Sequence, residues 1–156
     1  MTFQIQHIKD VYTVKKPWGQ EQWIQAGNSV YPYVLKQLNL LAGNKTSLQV
    51  HRTKSESIII LEGTGRIEIF DGFFDCRKFL KNGYSQENIE SIKNQLQTHL
   101  ITSGSVFHTP PGTIHRMIAD TDLLYIEAST TELDDVIRIQ DDNNRQHGRI
   151  ESEHSK

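Results

Sequence analysis

The chain has 156 residues, a net charge of −2, a pI near 6.4 and a mean hydropathy of −0.54. That is the size of one domain, large enough to fold without disulfides or a structural metal, and its charge gives no footing on nucleic acid or on an anionic membrane surface. Its apolar runs are too short for a membrane span, its start, MTFQIQHIKD, has no basic stretch leading into an apolar one, so no secretory leader is expected, and the lone Cys76 excludes an intrachain disulfide and fits a reducing cytoplasm.

Val11 to Lys16 alternates apolar and polar residues and reads as an edge strand. Pro17-Trp18-Gly19 is a turn, and Gln20 to Ala26 a returning strand that offers Trp23 to the core. Gly27-Asn28 turns again, and YPYVLKQLNLL, residues 31–41, reads as a strand with Val34, Lys36, Leu38 and Leu40 on one face. A lysine on an apolar face is costly unless that face opens onto a polar cavity. Lys36 is therefore a candidate substrate-binding or proton-transferring group; the alternative is a lysine that snorkels to the surface.

The next stretch, GNKTSLQVHRTKSESIIILEGTG, concentrates the chemistry. On a strand Ser47, Gln49 and His51 share one face, and Leu48 and Val50 the other. Arg52 to Ser55 reads as a polar turn, and Glu56 opens the β-branched run Ile58 to Ile60. Such a hairpin folds Glu56 back toward His51. Gly63 and Gly65 bracket a corner before the strand Arg66 to Phe70. Asp71-Gly72 is a hairpin signal, which makes Phe73 to Leu80 the expected partner strand.

In SQENIESIKNQLQ, Ile89, Ile92 and Leu96, with Leu100 next in the series, recur at helical spacing. Residues 81–98 thus read as a short helical insertion, either a lid on a barrel rim or a decoration packed elsewhere. His99 has no partner pattern. Pro110-Pro111-Gly112 stops ladder pairing and aims the strand Ile114 to Ile118, which carries His115 and Met117 on one face. Strands Leu123 to Ala128 and Asp135 to Gln140 close a domain spanning 1–140. The polar remainder, DDNNRQHGRIESEHSK, residues 141–156, reads as a disordered tail with His147 and His154 solvated.

In an antiparallel barrel the inward faces of separate hairpins converge. Gln49, His51, Glu56 and His115 would then meet as two imidazoles, a carboxylate and a neutral amide. That set holds a divalent ion as a Lewis acid with positions open to substrate. Without a thiolate, zinc is the first expectation, and manganese, iron, cobalt or nickel also suit the donors.

These residues carry a resemblance. Gly43, Gln49, His51, Glu56 and Gly63, then Pro110, Gly112 and His115, resemble the two motifs of the cupin superfamily. SLQVHRTKSESIIILEGTG is similar to the signature of the C-terminal cupin domain of type II phosphomannose isomerases, in which a glutamine replaces the second histidine of other cupins. KPWGQEQW and ELDDVIRIQDDNNR agree with it, so that the likeness spans roughly residues 15–145. It implies an all-β jelly-roll barrel and a metal-dependent aldose–ketose isomerase. The substrates would be mannose 6-phosphate and fructose 6-phosphate, feeding GDP-mannose and polysaccharide synthesis, and the protein a homodimer.

Such an enzyme needs a base for the moving proton, for which Lys36, Asp134 and Asp135 are candidates. It needs cations for the phosphate, and Arg138 and Arg145 match two arginines of the family's tail motif. Asn143-Asn144 stands where the family has Tyr-Gly. The alternatives are a cupin enzyme acting on another sugar and a non-catalytic sugar- or metal-binding module.

Overall fold

The computed structural model describes residues 3–155; Met1, Thr2 and Lys156, the extreme ends of the expected leaderless start and frayed tail, lie outside the described residues. The strands are β1 (Tyr12–Lys16), β2 (Gly19–Ala26), β3 (Val34–Leu40), β4 (Leu48–Val50), β5 (Glu56–Glu62), β6 (Thr64–Phe70), β7 (Gln97–Thr102), β8 (Val106–Thr109), β9 (Ile114–Ala119), β10 (Leu123–Ser129) and β11 (Ile137–Gln140). They form two antiparallel sheets, in the orders β1-β2-β3-β10-β5-β8 and β11-β4-β9-β6-β7. This is the jelly-roll architecture that the resemblance implies. No helix among the described residues is long and apolar enough to cross a membrane.

Alternation along β3 explains the interior. Val34, Lys36, Leu38 and Leu40 all point inward and are at most 6% exposed. Leu38 lies in register with Tyr125 of β10, and Tyr125 with Ile60 of β5. With Leu40, Ile67 and Met117 they fill one end of the sandwich with apolar volume. One step along the same strands, the register row runs from Trp23 through Lys36 to Glu127. The other end of the interior is therefore charged.

The β4–β9–β11 wall is buried on both faces. Leu48, Val50, Ile114 and Ile137 point outward and are covered by Phe74, Phe79 and Ile92 of the inserted segment. That segment is helical over α1 (Cys76–Asn82) and α2 (Gln86–Asn94). The expected strand Phe73 to Leu80 is thus α1 for most of its length. Asp75 caps its first turn by accepting from the Lys78 amide, and Gly83 ends it at a positive φ of 68°. Ser85 caps α2 in the same way. Ile89, Ile92 and Leu96 face the outer core as their spacing predicts, whereas Leu100 sits on the edge strand β7 and is 80% exposed. The insertion braces the outside of the barrel and does not roof its mouth.

The expected frayed tail also folds differently. Its described part, 141–155, returns across the barrel mouth and ends in the single turn α3 (Glu151–His154). Arg145 donates to both carboxylate oxygens of Asp141, the Gly148 amide donates to the Val136 carbonyl, and His147 Nδ1 accepts the Arg138 amide. His154 is half-buried beside Trp23. A composition poor in apolar residues suggested solvation; ion pairs and ring contacts hold this segment instead.

Candidate functional site

His51 follows β4, Glu56 starts β5 and His115 stands on β9, each no more than 5% exposed. Glu56 Oε1 is 3.0 Å from His115 Nε2, and Glu56 Oε2 is 3.6 Å from His51 Nε2. One donor atom from each of the three residues lies within 4.8 Å of the others. β4 and β5 do not pair as the expected hairpin: Arg52–Ser55 carries the chain from one sheet to the other, and Glu56 meets His51 across the interior between the sheets.

The other ring nitrogens are held by main chain. His51 Nδ1 is bonded to the Asp135 carbonyl, and His115 Nδ1 to the Thr113 carbonyl at 2.9 Å. A carbonyl only accepts, so each Nδ1 carries the hydrogen, and a ring in the neutral form a metal needs would turn its Nε2 lone pair toward Glu56. Lone pairs facing a carboxylate call for a positive centre between them. His51 Nε2 is buried with no hydrogen-bond partner, which is the orphaned atom a cation would satisfy. Without such a cation, burial pushes the His115 imidazole down in pKa and the Glu56 carboxylate more than reverses it, a net rise. Burial raises Glu56, but the neighbouring His115 and His51 imidazoles and the charge of Lys54 hold it well below the ordinary carboxylate range. His51, Glu56 and His115 fit a metal ion by chemistry and by placement.

Gln49 is the register partner of His115 and lines the same cavity, with its Oε1 accepting from the Ser47 hydroxyl at 2.7 Å. It stands beside the triad, with its oxygen turned to Ser47. Lys36 is buried, donates to Glu21 at 2.9 Å and lies 4.4 Å from the centroid of the Trp23 ring. Burial raises Glu21 in pKa, yet Lys36 and Lys16 bring it down to about 2. Lys36 therefore faces the polar cavity and does not snorkel.

Asp135 is not placed as a base. Its carboxylate accepts from the amides of Arg52, Thr53 and Lys54 at 3.1, 2.7 and 3.0 Å. Those amides outweigh its partial burial and bring it to about 2. It holds the turn that presents His51 and Glu56. Asp134 lines the cavity.

Arg138 faces Gln49 across the β4–β11 ladder and is 9% exposed. Its guanidinium donates to the carbonyls of Gln146 and Gly148, and its Nε has no partner. Among the described residues no carboxylate forms an ion pair with it. Burial and then the charge of Arg145 pull its pKa down. Arg145 is itself engaged by Asp141 at 2.7 Å and by Glu153 at 3.5 Å. Of the two arginines, Arg138 is the one with unspent charge.

Sequence reasoning missed Lys54 and Glu127. Lys54, 5% exposed, donates at 2.8 Å to both Glu56 Oε2 and Glu127 Oε1. Burial alone would lower its pKa, but Glu127 and Glu56 reverse that and fix the ammonium form. The signal for Glu127 was its parity with Leu123 and Tyr125 on β10. Lys54 gave none, since a lysine in a polar turn normally points to solvent. The cavity above these groups has a volume of about 100 Å³ and is lined by Lys36, Gln49, Lys54, Glu127 and Arg138, among others.

Two facing antiparallel sheets of this topology, with the His–Glu–His group at one end, define a cupin. Solved structures agree on the fold. Ectoine synthase from P. lautus is 13% identical with a TM-score of 0.60, over 83% of this chain and 78% of that one. KdgF from Halomonas sp. is 14% identical with a TM-score of 0.59, over 86% of this chain and 98% of that one. The oxalate decarboxylase of Lactobacillus farciminis is 16% identical with a TM-score of 0.60, over 85% of this chain but only 35% of that longer one. No curated protein matches the chain by sequence. The family described as Mannose-6-phosphate isomerase C-terminal matches residues 4–86, just over half the chain, and the chain belongs to that family. The match includes Lys36, Gln49, His51, Lys54 and Glu56 and ends before His115.

Proposed function

We propose that the protein is a metal-dependent sugar-phosphate isomerase that interconverts mannose 6-phosphate and fructose 6-phosphate. The observation that carries this reading is the convergence of the His51, Glu56 and His115 donor atoms in a member of this family. A divalent ion there, zinc by the preference of the donors, supplies a Lewis acid for the negative charge that develops on the sugar oxygens.

The chain's own residues set the surroundings. Main-chain carbonyls at Asp135 and Thr113 aim the imidazoles, and Lys54 holds one oxygen of Glu56. Gln49 gives an amide beside His115 that can ligate the ion or orient a sugar hydroxyl. Lys36 and Glu127, register partners on β3 and β10, offer a cation and a carboxylate on the cavity wall within one ladder step of each other. A proton moved between neighbouring sugar carbons would be handled there. Arg138, a buried guanidinium lacking a carboxylate, suits the substrate phosphate.

The second reading is a non-catalytic metal- or sugar-binding cupin. It draws on the tail that narrows the mouth of a cavity of about 100 Å³. A coupled assay with mannose 6-phosphate across several divalent metals separates the two. The isomerase reading expects turnover, about one ion per chain in protein purified without chelator, and loss of both in His115→Ala. Metal binding without turnover on this sugar phosphate favours the second reading.

A further inference from the structure

The segment that follows β11 is a wall between two hollows. On its inner side lies the cavity of about 100 Å³ beside the His–Glu–His group. On its outer side, between the segment and β1, lies a groove of about 480 Å³. Lys16, Arg145, Ile150 and His154 line both. Pockets that take small organic ligands run from about 300 Å³ upward. With this wall in place the inner cavity is too small for one, and the four shared side chains are what separate it from the outer groove.

One carboxylate ties the end of this wall to β1 and to Arg145. Glu153 Oε2 is 2.8 Å from Lys16 Nζ, and Glu153 Oε1 is 3.5 Å from Arg145 Nη1. These three side chains are 10%, 10% and 8% exposed, so the cluster is nearly dry. His154 adds an edge contact to Trp23, with ring centroids 5.4 Å apart, and its Nδ1 is 3.0 Å from the Tyr12 hydroxyl. Apolar anchoring is slight: Ile150 is the one aliphatic side chain in 141–155. If Glu153 leaves, Arg145 keeps Asp141, but Lys16 keeps only Glu21 at 3.7 Å. The Lys16 ammonium and Arg145 Nη1, the guanidinium nitrogen that Asp141 does not hold, then face the opening.

We propose that residues 148–155 form a lid in which Glu153 occupies a phosphate site made by Lys16 and Arg145, so that the phosphate group of a small molecule displaces it and opens the cavity. A ligand that binds only the open form shifts the population toward that form. The lid does not depend on the isomerase reading, because neither measurement below requires turnover.

The test uses the full chain and inorganic phosphate, with chloride at matched ionic strength as the control. Hydrogen exchange followed by mass spectrometry reads the amides of 148–155, and calorimetry reads phosphate affinity. Phosphate, but not chloride, is expected to speed lid exchange in the wild type. Glu153→Ala is expected to exchange fast without phosphate and to bind phosphate about tenfold more tightly, the gain when a competent state rises from roughly a tenth of the population to most of it. A chain ended at Arg149 should show the same gain in affinity, independently of how the Glu153→Ala lid packs. The proposal is overturned if chloride matches phosphate, if phosphate binds without changing lid exchange, or if both variants bind phosphate no more tightly than the wild type.

Discussion

The two ends of the sandwich interior are built from the same strands and differ in what they are for. At Leu38, Tyr125 and Ile60 the inward positions are apolar and packed. One ladder step away, at Lys36 and Glu127, they are charged, and each charge is matched by another: Lys36 with Glu21, and Glu127 with Lys54. The apolar end gains free energy by leaving water. The charged end is close to neutral or costly, since desolvation of buried ions offsets their attraction. A fold that keeps four such groups buried at one end gains little stability from them, and the apolar end supplies the stability that makes this tolerable.

The sharpest way to break that comparison is Lys54→Met. It leaves Glu56 and Glu127 as buried carboxylates without their shared cation, and should cost about 3–5 kcal/mol in urea unfolding in the presence of chelator. Adding Glu127→Gln should recover part of the loss. A Lys54→Met protein as stable as the wild type would mean that the charged end is wetter than its burial indicates. At the apolar end Leu40→Ala should cost about 2–5 kcal/mol, with metal content by elemental analysis unchanged. A joint loss of stability and metal would show that the two ends are mechanically coupled.

Acid should act on the charged end and not on the apolar one. Glu21 is depressed to about 2 from an ordinary 4.5, so its contribution is fully present above pH 4.5 and fades as pH falls toward 2. The stability gap between wild type and Glu21→Gln should narrow across that window by up to roughly 3 kcal/mol. A gap that stays constant would place the pair in solvent. The smallest effect belongs outside both ends: Leu100→Ser, on the exposed edge strand β7, should change stability by no more than about 0.5 kcal/mol.

Much of the site was legible because it obeys parity. The two-residue repeat put Gln49 and His51 on one face and Lys36 on the face of Val34 and Leu38, and the fold keeps both arrangements. Pro110-Pro111-Gly112 announced the turn that delivers His115. The illegible parts depend on partners distant in sequence. Lys54 lies in a turn and is drawn inward by Glu127, 73 residues away. Phe73 to Leu80 has a hairpin signal before it, yet Phe79 on α1 and Phe74 just ahead of that helix are buried with Leu48 and Val50, partners that lie more than 20 residues back in the chain. The tail was read by composition, and composition does not show that Glu153 finds Lys16, 137 residues away.

The histidines are aimed by carbonyl oxygens at positions 113 and 135. Every amino acid carries that oxygen, so no mutation at Thr113 can delete it; only a shift in the path of the chain can. The direction in which each ring looks is thus stored in the scaffold's shape, and Thr113 is free to drift in identity so long as the loop's course is kept.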